Sequence, residues 1–237
     1  MMQPLSGVIA AAVTPHGKRG DDPDIDATLE LIDFLCQAGV QGIALLGSTG
    51  EFTSLSCDDR VRPVYLAVKR SSVPVPPGVS HSTLGGAPAP GREGAAGLLL
   101  MPPYFFRYRQ PEIREFYMRF AEMIYGAPVY LYNIPAFTSG ISAETAVQLL
   151  STGRFVGIKD SSGDWDNFQA LSRYRREHPF TFLVGHDAIF ARARAAGTDG
   201  VVSDKASAMP ELPPGVVSRL AVARTVPYGI CQPNSPI

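Results

Sequence analysis

Short apolar runs alternate with segments of helical period along almost the whole chain. Gly7–Val13 reads as a buried strand. Ile25, Leu29, Ile32 and Leu35 then recur at helical spacing until Gly39, a C-terminal stop signal. Gly42–Leu46 is the next strand, and Ser56 with Asp59 three residues on predicts a capped helix running to Lys69. Val73–Val79 is a third strand despite Pro74, Pro76 and Pro77, and Gly97–Met101 is a fourth. Helical spacing over Ile113–Tyr125, Ala143–Leu150, Phe168–Arg176 and Ala188–Ala196 alternates with strands at Val129–Tyr132, Phe155–Lys159, Phe180–Val184 and Gly200–Ser203.

That makes eight strands, each a nearly continuous apolar run. Parallel strands covered on both faces by crossover helices have this pattern, and eight such units predict an α/β fold of the (β/α)8 TIM-barrel type. An open doubly wound sheet is the alternative. It would want a Gly-rich phosphate turn after the first strand, where this chain has Thr14-Pro15-His16-Gly17.

Composition narrows the function classes. With 237 residues, 45% of them hydrophobic, the chain is long enough to bury one substantial core. Its 21 basic and 22 acidic residues leave a net charge of −1, which carries no electrostatic footprint for nucleic acid or an anionic membrane surface. Apolar runs such as Val8–Val13 fall far short of the ~20 residues that span a bilayer. The opening residues do not follow the pattern of a secretion signal, and the three cysteines form no paired framework, so a cytoplasmic protein is expected.

In a parallel barrel the C-terminal strand ends face the active site, and three candidates fall there. Gly47-Ser48-Thr49-Gly50-Glu51 follows the second strand; its hydroxyls and exposed backbone N–H groups would suit a small carboxylate, or it is an ordinary tight turn. Tyr132 ends the fifth strand, where a buried phenol needs a hydrogen-bond partner or a proton-shuttling role. Lys159 ends the sixth. Desolvation disfavours an ammonium relative to the free amine, the form that attacks a carbonyl carbon to make a Schiff base. The alternative is a strand-end lysine that snorkels to water. His186, Asp164 and Trp165 lie in strand-end loops and are weaker candidates for pocket contacts, while Asp160 should point away from Lys159.

Four ordered motifs, Gly47-Ser48-Thr49-Gly50-Glu51, Pro102-Pro103-Tyr104, Tyr132-Asn133-Ile134-Pro135 and Gly157-Ile158-Lys159-Asp160, resemble those of the dihydrodipicolinate synthase / N-acetylneuraminate lyase family over roughly Leu5 to Glu211. The resemblance implies a class I, pyruvate-dependent aldolase on a TIM barrel. It implies Lys159 as the Schiff-base lysine, Tyr132 as the proton relay, and Ser48 and Thr49 at the pyruvate carboxylate. Gly185 and Val202 would lie near the imine. No metal or dissociable cofactor is implied; the partners are a 2-oxo acid and an aldehyde, and the assembly a homotetramer or dimer.

Two departures bear on substrate. The synthases carry an arginine that holds the aldehyde's carboxylate, where this chain has Phe137, and a partner-subunit tyrosine where it has Phe105. Both changes favour a sugar-acid-type 2-oxo acid over the dihydrodipicolinate synthase reaction. Two further departures bear on integrity. Helix three would run through Thr83-Leu84-Gly85-Gly86-Ala87-Pro88-Ala89-Pro90-Gly91, where each interior proline costs ~3 kcal/mol. Residues 212–237 read as a Pro-rich tail after a catalytic domain at 1–211, with the family's C-terminal helical extension missing. An inactive or unstable truncated relative is therefore the alternative to a working aldolase.

Overall fold

The computed structural model describes residues 4–18, 22–84, 94–124 and 126–210. The strands are β1 (Gly7–Ala11), β2 (Gly42–Ala44), β3 (Leu98–Leu100), β4 (Val129–Asn133), β5 (Phe155–Asp160), β6 (Thr181–Val184) and β7 (Gly200–Ser203). They form one sheet in the order β2-β1-β7-β6-β5-β4-β3, and every pairing is parallel. Helices α1 (Ile25–Gln37), α2 (Cys57–Arg70), α3 (Gln110–Met123), α4 (Ala143–Leu150), α5 (Trp165–Arg175), α6 (Asp187–Ala195) and α7 (Lys205–Ala208) follow the strands. Nearly every strand residue is buried, as a sheet covered on both faces requires.

Among the described residues the expected eight strands are corrected to seven. The segment 73–79 is not a strand; it makes isolated parallel bridges, Leu45 to Pro77 and Gly78 to Leu99. Prolines have no N–H to donate, so a regular ladder cannot form there. Their carbonyls still accept: Ile43 N–H bonds to Pro74 O at 3.0 Å and Leu99 N–H to Pro77 O at 2.9 Å. Gly78 N–H donates to Leu45 O at 2.7 Å and Val79 N–H to Leu99 O at 3.0 Å. The segment thus stands between the two edge strands and joins β2 to β3, which curls the sheet into a ring. Gly78 has to be glycine, since a Cβ there would lie 2.2 Å from Leu46 O.

Local capping starts the helices where polar residues precede them. Asp24 accepts from Ala27 N–H, Ser56 from Asp59 N–H and Ser142 from Thr145 N–H. The helix-three expectation at 83–91 falls largely, and the tail at 212–237 wholly, outside the described residues. Among the described residues no helix is long and apolar enough to cross a membrane.

Candidate active site

Parallel register places the first two groups. Tyr132 of β4 lies opposite Lys159 of β5, and both side chains are buried, at 1% and 5% exposure. The Lys159 Nζ stands 3.9 Å from the centroid of the Tyr132 ring. The third group arrives from the loop after β2: Ser48 Oγ is 3.2 Å from the Tyr132 hydroxyl. Lysine, phenol and serine, 84 residues apart between Ser48 and Tyr132, therefore meet at one end of the ring.

Burial pushes the Tyr132 phenol up, but the Lys159 charge and hydrogen bonds with Ser48, Lys159 and Ser161 outweigh it, so the group sits below the ordinary phenol value. Ser161 was missed in the sequence. The signal was there in period two: Ser161 is two residues beyond Lys159 and so leaves the chain on the same side.

Gly185 follows β6 and lies directly against this group. A Cβ at Gly185 would come within 2.0 Å of Ser161 Oγ and 2.9 Å of Lys159 Cε. Val202 lies on β7, the strand beyond β6, and pairs with Ile9 within the sheet. Phe137 is 65% exposed and lines the same cavity of about 310 Å³ as Ser48.

The turn after β2 is only partly the expected anion nest. Gly50 N–H donates to Gly47 O and Glu51 N–H to Ser48 O, both at 3.1 Å, so two of its amides are engaged within the turn. The Ser48 hydroxyl bonds to Tyr132, and Thr49 is half-buried beside it.

Neighbouring polar residues hold the loops. Asn133 donates to Asp160 Oδ1 at 3.1 Å and accepts from Ile141 N–H at 2.9 Å, fastening β4 to β5 and to the following loop. Asp160 also accepts from Ser162 N–H and Asn167 Nδ2, and so points away from Lys159. Asp164 caps α5, while Trp165 stacks on Phe168 and carries the Arg192 guanidinium 3.6 Å over its ring; both are structural. His186 is exposed and packs beside Gly163. Just after the last strand, Lys205 Nζ donates to the buried Asp187 at 2.5 Å and lies 3.7 Å from Asp204. Among the described residues no cluster of three or more His, Cys, Asp or Glu is arranged to hold a metal ion.

A parallel α/β barrel with a buried lysine and tyrosine on adjacent strand ends defines a class, the barrel enzymes whose chemistry lies at the C-terminal mouth. Within that class the chain belongs to the dihydrodipicolinate synthetase family, whose model matches residues 4–221, past the Glu211 limit read from the motifs. It is 34% identical over 224 residues to a 4-hydroxy-tetrahydrodipicolinate synthase of Sorangium cellulosum, covering 91% of this chain and 74% of that one. The crystal structure of dihydrodipicolinate synthase from Aquifex aeolicus superposes with a TM-score of 0.83 at 29% identity, covering 92% of this chain and 76% of that one. The chloride-inhibited dihydrodipicolinate synthase from Acinetobacter baumannii, solved with pyruvate, gives 0.80 at 27% identity, covering 93% and 77%.

Proposed function

We propose that the protein is a class I aldolase that joins pyruvate to an aldehyde, or cleaves the product, through a Schiff base on Lys159. The observation that carries this reading is the contact of a buried lysine with a buried tyrosine whose hydroxyl reaches Ser48.

The free amine of Lys159 adds to C2 of pyruvate. A proton relayed through Tyr132 converts the carbinolamine hydroxyl into departing water and leaves an iminium. The iminium accepts the electron pair released when the methyl carbon loses a proton, giving an enamine. The enamine carbon attacks the aldehyde carbon, and the aldehyde oxygen takes a proton. Water then hydrolyses the new iminium, returning the lysine amine and releasing a 4-hydroxy-2-oxo acid. Ser48 and Thr49 hold the carboxylate, and Gly185 leaves room beside the imine. The covalent imine is the electron sink, so the cycle calls for no metal or dissociable cofactor.

Phe137, at the position of the synthases' anion clamp, argues against the dihydrodipicolinate synthase reaction, because a phenyl ring cannot form the bidentate pair an arginine makes with a carboxylate. A homodimer or homotetramer and a cytoplasmic location complete the proposal; sedimentation of the purified chain tests the first.

The direct test is reductive trapping. The full chain is incubated with pyruvate, reduced with borohydride and digested. A reduced pyruvate adduct is expected on the peptide holding Lys159, and its absence from folded protein overturns the reading.

A further inference from the structure

We infer that the carbonyl partner of this site is an uncharged aldehyde with a flat aromatic body, bound in the cavity that opens beside Ser48. This rests on the aldolase reading of the same site and goes beyond it by naming the second substrate's class.

The cavity measures about 310 Å³, within the range of small-molecule sites. One wall is Ser48, whose hydroxyl lies 3.2 Å from that of Tyr132, so the space begins where the reacting carbon would be held. The other walls are Phe52, Met101, Tyr104, Phe105 and Phe137, with Thr53 adding a hydroxyl. Phe52 and Tyr104 meet edge to face at 5.7 Å, an aromatic corner into which another ring fits by stacking or edge contact.

Among the described residues no charged side chain lines this space. Arg60 lies 5.1 Å over the Phe52 ring on one wall but is committed elsewhere. Its guanidinium donates to Leu55 O at 3.2 and 2.9 Å and to Ser80 O at 3.1 Å. Arg107 likewise donates to Thr138 O. A carboxylate-bearing aldehyde would find no counter-charge on these walls, and a polyhydroxylated one would turn most of its hydroxyls towards phenyl rings. The loss of the polar groups that suggested a sugar acid from sequence is the same change that makes the cavity apolar.

In the step proposed, the enamine carbon bonds to the aromatic aldehyde's carbonyl carbon. The carbonyl π pair moves to oxygen, which takes a proton, and hydrolysis of the iminium releases a 4-aryl-4-hydroxy-2-oxo acid and free Lys159.

The test supplies the full chain with pyruvate and, in parallel, benzaldehyde, glyceraldehyde or succinic semialdehyde, and compares kcat/KM from product formation. Benzaldehyde is expected to lead each of the others by about tenfold or more. Phe137→Arg should lower the ratio of benzaldehyde to succinic semialdehyde about tenfold, and Phe137→Leu, which keeps the wall apolar but removes the ring, by a smaller factor. A Lys159 adduct that forms while benzaldehyde does no better than the others, or while neither variant moves the ratio, overturns this inference and leaves the aldolase reading standing. Failure to trap pyruvate at all overturns both.

Discussion

Lys159 and Tyr132 face each other across β5 and β4, with the lysine nitrogen 3.9 Å from the centroid of the phenol ring. Neighbouring strands lie roughly 4.8 Å apart, so residues in register on one face touch without help from any loop. Each group sets the electrostatic environment of the other. The ring presents its negative face to the nitrogen, and the cation favours ionisation of the phenol.

Lys159→Met should therefore move Tyr132 ionisation up, because burial, which opposes the phenolate, then stands against the serine hydrogen bonds alone. The sign in stability follows. A depressed phenol adds stability as pH rises through its folded-state ionisation, with the gain complete above the ordinary value of about 10, and loses it as pH falls. Absorbance titration of tyrosinate, with Tyr132→Phe as the subtraction, checks the shift; identical curves for wild type and Lys159→Met would contradict it.

At Gly185, a methyl group has nowhere to go. Gly185→Ala should displace Ser161 or Lys159, costing about 1–3 kcal/mol of stability and cutting the rate of adduct formation at Lys159 by a large factor. Denaturant unfolding and the trapping assay read the two effects separately. Full-rate trapping in the variant would mean the glycine leaves no essential space.

Ser48→Ala and Tyr132→Phe remove the two ends of one hydrogen bond. Loss of the phenol should lower kcat/KM by about 10²–10⁴-fold, the usual contribution of a positioned acid–base group. Loss of the serine hydroxyl should cost less, and should raise the Tyr132 ionisation seen in the pH profile. Equal losses would mean that the two hydroxyls relay the proton as a unit rather than the phenol alone.

Lys205 tests a stability link outside the reacting centre. Burial lowers its ionisation, but the hydrogen bond and charge of Asp187 outweigh this and raise it above the ordinary value. A raised lysine stabilises fully below its unfolded value of about 10.5 and loses that contribution as pH climbs through the folded value. Lys205→Met should cost about 1–2 kcal/mol at neutral pH, discounted for a half-exposed lysine but counting the buried carboxylate left behind. Thermal melts from pH 7 to 11 should show the gap between variant and wild type closing at the alkaline end.

Much of this molecule was legible in its sequence. Ala143–Leu150 and Gly200–Ser203 begin and end where the spacing of apolar residues says they do, and the Ser56 cap stands where the Ser-x-x-Asp pattern puts it. The lysine and tyrosine were legible too, because each directly ends an apolar run. The segment 73–79 was misread because its hydrophobicity matches a strand while its prolines cannot donate to one. Ser161 was overlooked for a different reason: its two-residue spacing from Lys159 gives the side it faces, but only the fold shows that it meets Tyr132 there.

The sequence by itself determined the kind and order of the elements, since helical and strand periods are local properties of the chain. It also determined which residues end the strands. Only the tertiary structure decided what those ends meet. Register across β4 and β5 paired Tyr132 with Lys159, the join through Pro77 and Gly78 closed β2 onto β3, and loops after β2, β3 and β4 brought Phe52, Tyr104 and Phe137 around one space. Proximity between such distant positions is set by strand order and the curl of the sheet, and no local pattern of residues encodes it.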